Sequence, residues 1–352
     1  MTRLMMTGFE LGHLGGNFSK GGSLTVQEVV TTYHRTGLRS LYMDHTGGTI
    51  KHCYVAWQFE NASNTVYVRF GIYLKDAGSS AFLQNQVLGL YTAGGVEILW
   101  MTLNYTGHKL RVYTDAGTYW EGDVGLGTNH QYCIEMKVTI ADSDGIIQVK
   151  IDGVLDIDIT GDTRSVAAAG GDIPGRFYAG CPVHGYLDNL YWDDIAINND
   201  AGSINNSWIG QGGILALMPA SDVYLGGMEP STGEDRFACV DEIPSNGDTD
   251  YIYNYTDVSC MVALGLSNLI DTALLSVVNA VCWWASARRD GSGDPTVEPV
   301  FRIDGANYYP GTGQVLADAY ADKSEIFELN PATDLPWTSE EINDMAAGVK
   351  TN

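Results

Sequence analysis

Positive charge is scarce in this chain: 19 Lys and Arg stand against 43 Asp and Glu in 352 residues, for a formal net charge of -24. Binding a phosphate backbone or an anionic bilayer needs clustered basic side chains, and only Arg288 and Arg289 are adjacent. Nucleic acid and anionic membranes are therefore poor partners. The longest apolar run, near Ala273 to Ala285, is too short and interrupted to span a bilayer, so no membrane insertion is expected. Met1 to Met6 carries no sustained apolar stretch, and no signal peptide is expected. Six cysteines, at 53, 133, 181, 239, 260 and 282, form no CxxC and no Cys/His ligand spacing. Four lie in apolar or strand-like stretches, which points to buried free thiols in a chain that folds in a reducing cytoplasm. HExxH, a P-loop, a GxGxxG following a strand and Gly-x-Ser-x-Gly are all missing, and with them the signatures of zinc peptidases, nucleotide-binding folds and α/β-hydrolases.

Glycine, at 42 residues, and aromatics, at 11%, are plentiful, which suits many short strands joined by tight turns. The length favours two domains. Alternation of apolar and polar residues marks strands at His52 to Phe59, Thr65 to Leu74, Gln86 to Tyr91, Glu97 to Leu103 and Lys109 to Thr114. The clearest unit is the hairpin His130 to Thr160, in which ten alternating residues meet the turn Ala141 to Gly145. Ile147, Val149 and Ile151 then run back, and Asp152-Gly153 makes a second tight turn. The stretch Gly185 to Asp200 (GYLDNLYWDDIAINND) alternates again and ends in turn formers. It reads as the last strand of an N-terminal sandwich, with a domain boundary after 202.

This succession, QVKIDG, VLDIDITGDT and GYLDNLYWDDIAI above all, resembles the concanavalin A-like lectin/glucanase sandwich in its laminin-G-like form over residues 7–198. The resemblance implies a jelly roll whose last strand returns beside the first. Beyond 202, GILALMP, VDEIPSNGDTDYI, SVVNAVCWWASARRDGSG and FELNPATDLPWTSEEINDMAAGVK resemble the C-terminal part of tailed-bacteriophage virion structural proteins. The expected organisation is all-β: a jelly-roll β-sandwich over 1–202, a smaller β-rich domain over 203–329, and an arm over 330–352. That arm carries a short helix with Thr338 as N-cap, Glu341 at the third position and Gly348 as its stop.

Glucanases of this fold carry Glu-x-Asp-x-x-Glu on one strand, so that alternate carboxylates enter the cleft. Here only Glu121-x-Asp123 is present, and position 126 is Leu; no enzyme activity is expected. Asp188, Asp193 and Asp194 on the last strand, with the oxygen-rich turn Asp142, Ser143 and Asp144, are candidate Ca2+ ligands; the alternative is solvated acids. Trp100, Tyr105, Tyr113, Tyr119 and Trp120 are candidates for stacking on sugar rings; the alternative is core filling. Pro331, Trp337 and Ile342 of the arm, with Trp284, are candidate assembly contacts. The arm could equally fold back on its own domain.

The resemblance implies a non-enzymatic virion protein, made in the host cytoplasm and acting by packing against copies of itself and other virion proteins of tail or capsid. The alternative is an adhesin that binds host surface glycan through the sandwich.

Overall fold

The computed structural model describes residues 2–14, 18–22, 26–44, 53–75, 85–104, 106–114, 117–164, 173–182, 189–255, 259–269 and 277–352. The chain forms two compact units, Met1–Leu215 and Ala216–Asn352.

The strands of the first unit are β1 (Arg3–Thr7), β2 (Phe18–Gly22), β3 (Val26–Val30), β4 (Ser40–Asp44), β5 (Cys53–Gln58), β6 (Thr65–Leu74), β7 (Asn85–Thr92), β8 (Glu97–Leu103), β9 (Lys109–Thr114), β10 (Tyr119–Gly125), β11 (His130–Thr139), β12 (Gly145–Ile151), β13 (Val154–Gly161), β14 (Pro174–Cys181) and β15 (Leu190–Asn199). They build two antiparallel sheets. One runs β13-β12-β11-β6-β15-β4-β3, with β1 also on β15; the other runs β10-β9-β8-β7-β14-β5-β2. Alternation sends one parity of each strand into the space between them. Phe70, Ile72, Met136 and Trp192 from the first sheet meet Trp57, Leu90, Leu99 and Phe177 from the second in one buried cluster. The hairpin is as expected, with β11 pairing in register with β6 and β12, and Asp152-Gly153 turning at φ 49° and 82°. β15 lies between β6 and β4 and returns beside β1.

The boundary falls at 215 rather than 202, because residues 208–214 lie as a strap along the first sheet. Ile209 is buried against Tyr67 and Ala196. Gly210 N donates to Glu135 Oε1 at 2.7 Å, and Ile214 N to Asp194 Oδ1 at 2.7 Å. Residues 213–218, which read as a strand in the GILALMP segment, form none.

In the second unit β16 (Pro219–Tyr224), β17 (Glu229–Pro230), β18 (Ile252–Tyr253), β19 (Cys260–Leu266), β20 (Val281–Ala287), β21 (Thr296–Ile303), β22 (Ala306–Tyr308), β23 (Gln314–Val315) and β24 (Ala321–Phe327) precede the helix α1 (Ser339–Asp344) and β25 (Ala346–Thr351). The main sheet runs β16-β19-β25-β21-β22, and β20 pairs with β24. The capping box is present: Glu341 N donates to Thr338 Oγ1 at 3.2 Å, and Thr338 N to Glu341 Oε2 at 2.8 Å. The helix ends at Asp344, before the expected stop. Gly348 sits instead in β25, where a Cβ would lie 2.0 Å from the Val262 carbonyl oxygen; close strand approach is what demands glycine there.

The segment from Asn330 is therefore no free arm. Trp337 and Ile342, expected as assembly contacts, are buried with Trp283, Phe301 and Phe327 in the core of their own unit. Trp337 Nε1 donates to the Phe327 carbonyl at 3.0 Å. Pro331 and Trp284 are half-buried. No disulfide joins the six cysteines, of which Cys282 alone is exposed. A chain ending at Leu329 loses β25, which pairs with both β19 and β21. It is expected to lose the calorimetric unfolding transition of the second unit; retention of that transition would show the segment to be dispensable.

Candidate functional site

The sandwich has two outer faces, and the chain uses one for itself. On the first sheet β15 bulges between Asp193 and Ala196, and Asp194 adopts φ 49°. Both carboxylates are buried there among donors. Asp193 Oδ2 accepts from Arg35 N (2.6 Å) and Thr36 N (3.1 Å), and its Oδ1 from Asp194 N (2.7 Å). Asp194 holds the Arg35 guanidinium at 2.7 Å and the Thr36 hydroxyl at 2.6 Å. Arg69 donates to the carbonyls of Asp194 (3.0 Å) and Gly212 (2.5 Å), and Arg35 to that of Gly212 (3.0 Å), which ties down the strap. Trp208 packs on Tyr67, with Lys150 Nζ 3.8 Å from its ring centroid.

This geometry changes the reading of the candidate calcium ligands. The positive charge beside Asp193 and Asp194 comes from Arg35 and Arg69, and N–H donors already occupy the Asp193 oxygens. Asp142 instead pairs with Arg164 on the surface, and Asp144 is exposed. Asp188 lies outside the described residues. Among the described residues no three His, Cys, Asp or Glu side chains cluster to hold a metal ion.

The outer face of the second sheet is built differently. Direct cross-strand partners define a row across it: Ala56 (β5), Tyr178 (β14), Gly89 (β7), Trp100 (β8), Tyr113 (β9) and Tyr119 (β10). Five strand spacings make it roughly 24 Å long. Trp100 and Tyr113 stack at 5.2 Å with planes 3° apart, and Tyr119 follows at 5.2 Å. Since 5.2 Å is close to the interstrand spacing, these rings stand side by side up from the sheet. Tyr54 and Tyr91 close on Tyr178 at 5.0 and 4.5 Å. Trp100 and Tyr178 keep 8% and 9% exposure, whereas Tyr119 keeps 51%.

A polar row flanks the aromatic one on each side. One runs Gln58, Arg176, Tyr91, Glu97; the other runs Gln86, Thr102, Arg111, Glu121. The Tyr91 hydroxyl donates to Glu97 Oε1 at 2.5 Å; burial first, and then this carboxylate, push its ionisation far above the ordinary tyrosine range. Glu121 is held below the usual carboxylate range by Arg111 and by Asn104, whose Nδ2 donates to it at 2.6 Å. The Thr102 hydroxyl is buried without a hydrogen-bond partner among the described residues. At one end of the face, a groove of about 650 Å3 opens between Gln58, Glu60, Asn61, Thr92, Gly94 and Pro174.

Of the aromatic residues singled out by sequence, Trp100, Tyr113 and Tyr119 thus come together. Trp120 does not join them: it pairs with Val112 and packs on the core, as a neighbour of outward Tyr119 must. Tyr105 lies outside the described residues. Tyr54, Tyr91, Tyr178 and Arg176 were not singled out, because only the sheet order β8-β7-β14-β5 makes them neighbours.

No family model and no curated protein matches this sequence. Among solved structures the chain is similar to a cellulose induced protein, Cip1 (17% identity, TM-score 0.46, covering 59% of this chain and 100% of that one). It is similar to a sialidase (13%, 0.39, covering 56% of this chain and 18% of the sialidase). A third is domain 4 of AbnA, a GH43 extracellular arabinanase from Geobacillus stearothermophilus, in complex with arabinotriose (15%, 0.35, covering 56% and 92%).

Burial, and then the adjoining Asp194 carboxylate, raise the Asp193 carboxyl from 3.8 to about 8, against the lowering effect of its backbone donors. A folded-state value above the unfolded one stabilises the fold at acid pH, in full below pH 4, and that contribution is lost as pH rises towards 8. The urea midpoint of the first unit is expected to fall between pH 5 and 9, and Asp193→Asn to flatten that slope. An unchanged slope in the variant would assign the pH dependence to other groups.

Proposed function

We propose that the first unit binds saccharide on the outer face of its second sheet, without catalysis. The observation that carries this is the aromatic row bracketed by two polar rows on the sheet face opposite to the strapped one. A sugar ring has an apolar C–H side and a rim of hydroxyls. Tyr and Trp supply an apolar body with a polar tip, and Gln58, Gln86, Asn104 and the guanidinium groups supply the amide and charged donors that fix orientation in such sites. The orphaned Thr102 hydroxyl adds a polar group whose burial costs about 1–3 kcal/mol unless water or ligand reaches it.

The acids of this face support the non-catalytic reading. Glu97 and Glu121 stand five residues and two strands apart, on the order of 18 Å by strand geometry. Hydrolytic pairs need roughly 5–10 Å. Tyr91, held protonated, is a poor base at neutral pH.

The sequence resemblance of residues 330–350 to phage virion proteins supports placing this face on a virion, where it would act as an adhesin. Subunit packing finds its support in the second unit, where Tyr255, 69% exposed, and the exposed Tyr253 stand side by side, ring centroids 6.2 Å apart.

On a glycan array the full chain is expected to retain a defined set of saccharides. Tyr119→Ala should weaken the best of them roughly tenfold, about 1.4 kcal/mol, by titration calorimetry. An array without signal, or wild-type affinity in the variant, would remove the reading. Light scattering on the full chain and on Tyr255→Ser tests packing: an oligomer that the variant loses supports it, and a monomeric wild type speaks against it.

A further inference from the structure

Arginine is rare in this acidic chain, and its arginines are mostly spent on acids. Arg35, Arg111, Arg164, Arg236, Arg288 and Arg289 each hold a carboxylate. Arg176, on the outer face of β14, holds none among the described residues. Its Nη1 donates to the Tyr178 hydroxyl at 3.3 Å, and its Nη2 to Gln58 Oε1 at 3.2 Å and to the Ala93 carbonyl at 3.3 Å. All three partners are neutral. They fix the guanidinium without cancelling its charge, and they use three of its five donors.

The position of this group is specific. Gln58 and Ala93, which hold it, both line the groove at the end of the face. Tyr178, which it also holds, belongs to the aromatic row, so the guanidinium stands where row and groove meet. Long-range repulsion from a surface of net charge -24 discourages anions generally, so a retained, half-buried and unpaired cation at this point is a local exception to the surface around it.

We infer that Arg176 is a carboxylate subsite, and that the saccharide bound on this face is an acidic one, carrying a uronic- or sialic-type carboxylate. This rests on the saccharide-binding reading. The sugar carboxylate accepts from a free N–H donor of Arg176 in a charge-assisted contact, while the rest of the chain of sugars runs along the tyrosine and tryptophan row. Gln58 serves as positioning residue for the guanidinium. Glu60, exposed on the groove wall, opposes an anionic ligand and limits its affinity.

The test is titration calorimetry of the full chain with an oligogalacturonate, with the same oligosaccharide after carboxyl reduction, and with sialyllactose beside lactose. One acidic ligand is expected to bind at least tenfold more tightly than its neutral counterpart, with affinity falling as salt rises. Arg176→Gln should abolish that preference, so that acidic and neutral ligands bind with similar affinity. Arg176→Lys, which keeps charge but not the planar fork, should retain part of it, and guards against a folding defect in the first variant. Glu60→Gln should tighten the acidic ligand severalfold. Equal binding of acidic and neutral ligands, or an acidic preference that survives Arg176→Gln, would overturn the subsite and leave the saccharide face standing. Failure of every saccharide here and on the array would overturn both.

Discussion

The first unit depends on a buried meeting of charges at the bulge of β15. Two adjacent acids, the Asp194 carboxylate and Asp193, whose carboxyl is held protonated into neutral pH, enter the protein beside Arg35 and Arg69. Burying such groups is costly unless every lone pair and proton finds a partner. Here the partners come from far along the chain: backbone N–H groups at 35 and 36, and carbonyls at 210 and 212. Satisfying the charges is thus the same act as strapping residues 208–214 across the sheet. The strap covers part of one face of the sandwich, and the opposite face carries the aromatic row.

The architecture of that second face follows from parity. With a period of two, each strand must send alternate residues away from the core, and on this sheet the outward parity holds Tyr, Trp, Gln, Arg and Glu. Bulges between Gln86 and Leu88 and between Leu90 and Tyr91 keep β7 in step with its neighbours. Without the first of these, Gln86 and Tyr91 would not both face outward. Gly89, at the middle of the row, leaves room for the Tyr91 ring; a Cβ there would approach that ring to 2.8 Å.

Much of this fold was legible in the sequence, for reasons that particular residues show. Alternation in Thr65 to Leu74 and in Gln131 to Ile140 is strong because both strands bury one face under a second sheet. The Thr338 and Glu341 pair announced a helix start because the capping interaction is local. What could not be read was non-local. Tyr54, Tyr91 and Tyr178 are unremarkable one by one, and become a cluster only when β5, β14 and β7 lie side by side. Gly348 suggested a helix end, as glycine after a helix usually does, and the demand on it comes from Val262, 86 positions earlier. Trp337 suggested an exposed anchor and fills a core, since composition alone does not distinguish a large aromatic at an interface from one inside.

The two units share a topological habit. β15 is the last strand of its unit and lies between β6 and β4; β25 is the last of its own and lies between β19 and β21. An inner strand that arrives last leaves its sheet in two halves while the polypeptide is still being made. Each unit therefore closes in one step, when translation has passed residue 199 for the first and residue 351 for the second. Until then, the strands that will flank the missing one expose open hydrogen-bonding edges. Folding of each unit is coupled to the emergence of its own last strand, and a ribosome paused before either point would hold a chain with a sheet unclosed.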